Sequence, residues 1–267
     1  MSNPAAQRSL LFTRPKGQGE ELVVALENKG WQCIRQPLLN IVPITIDQPQ
    51  AYQTIKQRIM NLDLYDVVIS VSSNASSLAV QWIDQYWPQM PEGITWLAVG
   101  PSSALPFKEL GIEMAIPASN HSEGLLNLPT LEDMSGKKVL ILRGMGGREL
   151  LANTLTERGA KVEYSELYER QAVQFKAGQL TTLLQQKHIH YALITSGEMA
   201  QQLAQELQPQ LQLNGSLLQL FLIVPSIRIQ NIAKQLGFKD VYVCGHIQAD
   251  TLLACLNALP APVVKEQ

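Results

Sequence analysis

Charge is scarce in this chain of 267 residues and favours neither sign: 21 Lys and Arg stand against 23 Asp and Glu, giving a formal net charge of −2. With no long-range pull toward a polyanion, any affinity for an anion must come from local donors, and neither nucleic acid nor a membrane surface is expected as a partner. Cysteine is sparse too. Cys33, Cys244 and Cys255 are odd in number and far apart, which suits neither a disulfide framework nor a zinc cluster and fits a reducing compartment. No apolar run approaches the roughly 20 residues of a membrane span, and residues 1–8 are polar where an export signal would be apolar, so a cytoplasmic location is expected. Histidine is limited to four. His188 and His190 would share one face of an extended segment, but no third ligand lies near, and the pair reads as part of a loop. His121 and His246 follow strands in the two halves and read as surface-loop residues.

The familiar nucleotide and nucleophile motifs are missing as well. There is no G-x-x-x-x-G-K-[ST] segment, no G-x-S-x-G elbow and no evident Cys–His pairing. Gly144-Met145-Gly146-Gly147 starts like a dinucleotide fingerprint, but Glu149 stands where the third glycine belongs. Neither a metal nor an organic cofactor is therefore expected.

What the chain does contain is a weak copy of itself. Residues 10–39 and 139–168 align without a gap through Arg14/Arg143, Gly17/Gly146, Glu20/Glu149, Leu22/Leu151, Leu26/Leu155 and Gly30/Gly159. Ordinary residue usage would give about two chance matches over such a stretch. The pattern predicts a duplicated strand–turn–helix unit, and 46% apolar residues are enough for two cores. Short, continuously apolar runs at 10–13, 67–71, 96–99, 138–142, 191–195, 221–224 and 241–244 read as strands buried on both faces of parallel sheets. Between them, segments 19–29, 75–85, 104–110, 148–158, 199–207 and 228–236 carry apolar residues at helical spacing, several with glycine just beyond the end. The class is α/β, with two similar parallel-sheet halves. Residues 36–43 and 166–175 read as extended linkers, and 259–267 as a frayed tail.

In open parallel sheets ligands gather beyond the carboxyl ends of the strands. The turns there are Thr13-Arg14-Pro15-Lys16-Gly17, Ser72-Ser73-Asn74, Gly100-Pro101-Ser102-Ser103, Arg143 to Arg148, Thr195-Ser196-Gly197 and Pro225-Ser226. Each offers glycine, hydroxyl or amide groups, some with a cation, at the start of a helix, an arrangement suited to carboxylate or phosphate. The same serines and threonines also read as ordinary helix caps. Two facing halves would form a cleft for a small molecule.

In order and spacing, the turns and the repeat resemble the uroporphyrinogen III synthase family. The resemblance rests on Leu11-Phe12-Thr13-Arg14-Pro15, Ser72-Ser73-Asn74-Ala75, 98–104, Ser122-Glu123-Gly124-Leu125 and 139–144. It continues through Glu166-Leu167-Tyr168-Glu169-Arg170, 194–197, 224–226 and Ala249-Asp250. The resemblance implies two α/β domains joined by a two-stranded hinge, the chain crossing over after its first unit: residues 1–37 with 172–267, and residues 38–171. It implies a cofactor-free cyclising hydro-lyase that closes hydroxymethylbilane with loss of water and inversion of the terminal pyrrole, acting as a monomer. By motif position, Tyr168 would hydrogen-bond the departing hydroxyl, although a linker tyrosine packed against the hinge is the plainer reading of the residue itself. Arg14, Lys16, Arg143 and Arg148 would meet acetate and propionate groups. Ser72, Ser73, Asn74, Ser102, Ser103, Ser122, Gly144, Thr195, Ser196 and Ser226 would line the site, with Val71 standing where the family has threonine. A hinged binding protein for a carboxylated small molecule would fit the same turns without catalysis.

Overall fold

The structure is a computed structural model that describes residues 8–118, 122–213 and 220–260, and the side chains of 8–118, 123–208 and 220–260. The chain opens with β1 (Ser9–Phe12), α1 (Glu20–Glu27), β2 (Gln32–Arg35) and β3 (Leu39–Pro43). It continues through α2 (Pro49–Met60), β4 (Val67–Ser70), α3 (Ser73–Tyr86), β5 (Thr95–Ala98), α4 (Pro101–Ala104) and α5 (Ser122–Leu126). Next come β6 (Lys138–Arg143), α6 (Leu150–Glu157), β7 (Lys161–Glu166), β8 (Tyr168–Ala172) and α7 (Gln179–Gln186). The last elements are β9 (Ile189–Leu193), α8 (Gly197–Leu213), β10 (Phe221–Val224), α9 (Ile227–Gln235), β11 (Val241–Val243) and α10 (Ala249–Ala258). None of the described helices is long and apolar enough to cross a membrane.

The chain divides into two compact units, Met1–Asn40 with Gln171–Gln267, and Ile41–Arg170. In the first, five strands run parallel in the order β11-β10-β9-β1-β2. In the second, four run parallel in the order β5-β4-β6-β7. β3 and β8 form a separate two-stranded sheet. Its ends are bracketed by Ile44 N–H donating to Leu167 O and Val173 N–H donating to Leu38 O, each at 3.0 Å, a pairing that is antiparallel.

The continuous apolar runs follow from this layering. In β1, Leu11 enters a core with Ala192, Leu222 and the buried faces of α7, α8 and α9, while Leu10 and Phe12 enter a second core with Tyr191, Phe221, α1 and α10. Strand β6 divides likewise, Leu140 and Leu142 packing toward α2 and α3, Val139 and Ile141 toward α6. With both faces covered by helices, alternation has no polar side to show.

The repeat is preserved bond by bond. Ser9 pairs with Gln32 across β1 and β2, and Lys138 pairs with Lys161 across β6 and β7, the same register shifted along the chain. Trp31 N–H closes α1 on Leu26 O at 3.1 Å, and Ala160 N–H closes α6 on Leu155 O at 3.0 Å. Gly30 and Gly159 both adopt positive φ, 85° and 96°, which lets the chain turn straight from helix to strand.

Several expectations shift. β9 begins at Ile189, so His190 lies in a strand, while His188 stays outside it with φ 48°. Helix α6 starts at Leu150 because Arg148 and Glu149 belong to the preceding turn. Residues 105–110 form a 3-10 turn rather than an α-helix, with Pro106 inside its first turn. Fraying does not begin at Leu259: that side chain is 8% exposed within the first unit's core, and Pro260 O accepts the Tyr191 hydroxyl at 3.0 Å. Residues 261–267 and His121 lie outside the described residues.

Candidate active site

Tyr168 opens β8, and its ring is packed in the second unit's core at 4% exposure. The phenolic oxygen lies 3.0 Å from Ser72 Oγ. Ser72 is itself fixed as the N-cap of α3, its oxygen accepting Ala75 N–H at 3.4 Å. A single hydroxyl thus caps a helix and meets the tyrosine. From the other side, Met145 N–H donates to Tyr168 O at 2.7 Å. Gly144 lies so close to the ring that a β-carbon there would fall 2.5 Å from ring carbon Cζ.

Beneath the Ser72 turn runs a buried chain of hydroxyls. Ser70 Oγ is 2.6 Å from Ser76 Oγ, and the Ser76 hydroxyl contacts Ser103 O at 2.6 Å and Ser72 O at 3.1 Å. The chain ties the loop after β4 to the loop after β5. Ser103 is itself 2% exposed, whereas Ser102 is exposed. Ser73 and Asn74 are half-buried in the first turn of α3, and Ser73 O accepts the Ser77 hydroxyl at 3.1 Å. Ser122 begins α5, and its side chain is not among those described.

The expected cations differ sharply in how free they are. Arg143 is buried and spends its donors on its own turn: Nε on Gly144 O at 3.2 Å, Nη2 on Gly146 O, and Nη1 on Glu149 at 3.0 Å. Arg148 is exposed and pairs with Glu123 at 3.5 Å. In the first unit, Arg14 is half-buried; its guanidinium donates to the neutral amide of Gln18 at 3.3 Å, and burial lowers its pKa from the usual value. Among the described residues it has no carboxylate partner within ion-pair distance, so its charge stays available to an incoming anion. Lys16 is exposed in the same loop.

The other turns of the first unit are capped as their residue types predict. Ser196 Oγ accepts Met199 N–H at 3.2 Å, and Ser226 Oγ accepts Ile229 N–H at 3.4 Å. The Thr195 hydroxyl rests 3.3 Å from Met199 Sδ. Thr13 is fully buried, its hydroxyl donating to Leu193 O.

Comparison with known proteins gives these turns a context. The chain matches the family described as "Uroporphyrinogen-III synthase HemD" over residues 20–254. It is 35% identical over 254 residues to the uroporphyrinogen-III synthase of Escherichia coli, covering 93% of this chain and 100% of that protein. The chain belongs to the uroporphyrinogen-III synthase family. The Salmonella typhimurium relative of the same name is equally similar, 35% identical with the same coverage. Among solved structures, a mutant uroporphyrinogen III synthase from the extremely thermophilic bacterium Thermus thermophilus shares the fold with a TM-score of 0.60 at 15% identity, covering 94% of this chain and 98% of that one. A uroporphyrinogen-III synthetase from Helicobacter pylori does so at a TM-score of 0.56 and 15% identity, covering 95% and 100%.

Sequence reasoning did not find the residues that hold this family member's turns in place. Tyr164 donates to Glu149, and Glu166 accepts Gly146 N–H at 3.2 Å. Arg170 donates to Met145 O at 3.1 Å, and Gln48 donates to Glu169 at 2.6 Å. Glu166 and Arg170 flank Tyr168 in a recognised motif, and that adjacency was the only signal available. A cavity of about 500 Å³ lies between the start of α2 and β7, bordered by Gln48, Thr54, Arg58, Tyr164 and Glu166. These polar groups are already engaged within the protein, Thr54 with Gln50 O and Arg58 with Glu163 among them.

Proposed function

We propose that this protein closes hydroxymethylbilane to uroporphyrinogen III, expelling the terminal hydroxyl as water and inverting the last pyrrole, as a cofactor-independent hydro-lyase of tetrapyrrole synthesis. The observation that carries the reading is the Tyr168 hydroxyl, 3.0 Å from Ser72 in a chain matching the family over most of its length. Electron release from the pyrroles makes the hydroxyl easy to lose, so strong acid is not needed. A phenol that donates its proton to the departing oxygen while accepting the Ser72 hydroxyl's would supply a contribution of about 10²- to 10⁴-fold. The larger task is shape: the unassisted chain closes without inversion, and selectivity comes from holding it in the productive conformation. Neutral donors at Ser73, Asn74, Ser102, Thr195, Ser196 and Ser226 suit that task better than perturbed acids. Arg14, Lys16 and Arg148 would receive substrate carboxylates, Arg14 foremost because its charge is not already neutralised.

The test separates catalysis from binding. Protein at one-thousandth the concentration of freshly made hydroxymethylbilane should consume all of it far faster than the spontaneous reaction. Consumption limited to one equivalent, or no faster than without protein, would favour the non-catalytic binder. Tyr168→Phe should retain the melting temperature and KM while lowering kcat; a tyrosine that only fills the core would change stability and leave kcat alone.

A further inference from the structure

Arg14 and Arg143 occupy the same place in the two copies of the repeat, yet their surroundings have diverged, most tellingly at a position on the adjacent strand. In the first copy, Arg35 on β2 takes the carboxylate of Glu20 at 3.3 Å, and Arg14 is left with the Gln18 amide. In the second copy, the residue at the Arg35 position is Tyr164, whose hydroxyl donates to Glu149 without neutralising it. Glu149 is then free to pair with Arg143 at 3.0 Å, and the guanidinium lies 4.5 Å over the Tyr164 ring. The Arg143 side chain is 6% exposed. Arginine commonly receives a carboxylate through two donors side by side on an accessible edge, whereas this guanidinium is buried with three of its five N–H groups already engaged.

Its donors go instead to the carbonyls of Gly144 and Gly146, the two ends of the turn that meets Tyr168. That turn is held on its other side by residues flanking the tyrosine: Met145 N–H donates to Tyr168 O, Arg170 donates to Met145 O, and Glu166 accepts Gly146 N–H. Gly144 lies against the ring, where any β-carbon would overlap it. Arg143 therefore fixes a plate against which the ring rests, on the side that leaves its hydroxyl 3.0 Å from Ser72.

We infer that Arg143 and Gly144 form a positioning device for the Tyr168 hydroxyl, and that Arg143 does not receive a substrate carboxylate. The inference rests on the catalytic reading of Tyr168 given above. Displacing the hydroxyl by about 1 Å is enough to cost on the order of 10²-fold in rate without changing what binds.

The experiment uses the full-length protein in wild-type, Arg143→Lys, Gly144→Ala, Tyr168→Phe and Arg143→Lys/Tyr168→Phe forms, with hydroxymethylbilane as substrate. Arg143→Lys should lower kcat by roughly 10- to 100-fold with KM within about twofold. In the Tyr168→Phe background the same change should lower kcat no further, because the group it positions is gone. A KM that rises while kcat holds, with the effect persisting in the Phe background, would make Arg143 a carboxylate receptor and overturn the inference. A second arm reads position without turnover. In 3-fluorotyrosine-labelled protein, the fluorine resonance missing from Tyr168→Phe belongs to Tyr168; it should shift or broaden in Arg143→Lys, and in Gly144→Ala where that variant folds. A Tyr168 resonance unmoved by Arg143→Lys would overturn the inference. Should wild type fail to consume hydroxymethylbilane, the proposed function falls, and the fluorine arm still decides whether Arg143 holds the ring.

Discussion

Two arginines at equivalent places in a duplicated unit have different partners because a carboxylate is committed in one copy and available in the other. Glu20 is taken by Arg35, and Glu149 is shared by Arg143 and Tyr164. Arg14 is the cation whose loss should be felt in binding. Arg14→Ala is expected to raise KM by roughly 10- to 100-fold, the ~1.5–3 kcal/mol of a hydrogen bond to a charged group, while kcat changes by less than about threefold. Steady-state kinetics decide it; a fall in kcat with KM intact would place Arg14 among the groups that shape the transition state. The positions of both arginines were legible in the alignment of the chain with itself. Their fates were not, because the choice between Gln18 and Glu149 as partner depends on a residue one strand away, at Arg35 or Tyr164. The same limit hid Ser70 and Ser76, which read as the end of an apolar strand and the flank of a helix and prove to be the hydroxyl chain joined to the Ser72 turn.

The strands that sequence pattern revealed are those with a continuous apolar run, the edge strands β5 and β11 among them, and the ones it missed are the other two edges. β2 and β7 lie at the edge of their sheets, and their alternating polar residues blur the apolar run that marked β1 and β6. The linkers at 36–43 and 166–175 were read as extended and as a two-stranded pair, and β3 and β8 do form a two-stranded sheet. The glycines that end α1 and α6 give a comparison internal to the molecule. Both have positive φ, so alanine at either costs about 1–2 kcal/mol. At Gly30 a β-carbon meets no atom within 4 Å, whereas at Gly159 it would lie 3.0 Å from the Ser135 backbone. Urea denaturation should therefore show Gly159→Ala losing clearly more stability than Gly30→Ala, and equal losses would contradict the packing described. Asp66 offers a second test at this scale. Its carboxylate accepts the Lys138 amide at 2.8 Å and the Lys137 ammonium at 2.9 Å, and the amide chiefly lowers its pKa. A lowered folded-state pKa contributes stability that is complete above the ordinary carboxylate value of about 4 and is lost as pH falls through the lowered one. The gap in melting temperature between wild type and Asp66→Asn should accordingly be open at pH 7 and close toward pH 3. A gap independent of pH would mean that the carboxylate's charge contributes nothing.

The whole molecule consists of one unit that is continuous in sequence and one that is not, and the difference predicts which fragment stands alone. Residues 41–170 contain every strand of the β5-β4-β6-β7 sheet, whereas 171–267 lack β1, which lies between β9 and β2. Removing β1 strips the parallel partner of β9 and leaves Leu11's and Phe12's places in both cores empty. A fragment of 41–170 should melt cooperatively by circular dichroism, and one of 171–267 should show no cooperative transition until the 1–40 segment is added. A cooperative melt from 171–267 alone would contradict the need for β1 inside the sheet. The proposed function requires that this protein hold a flexible tetrapyrrole precursor so that its last ring inverts. The most direct measurement is the isomer composition of the uroporphyrinogen formed from fresh hydroxymethylbilane by a catalytic amount of the protein, read after oxidation to the porphyrin. The III isomer should predominate over the uninverted product. Uninverted product alone, formed at the spontaneous rate, would contradict the claim.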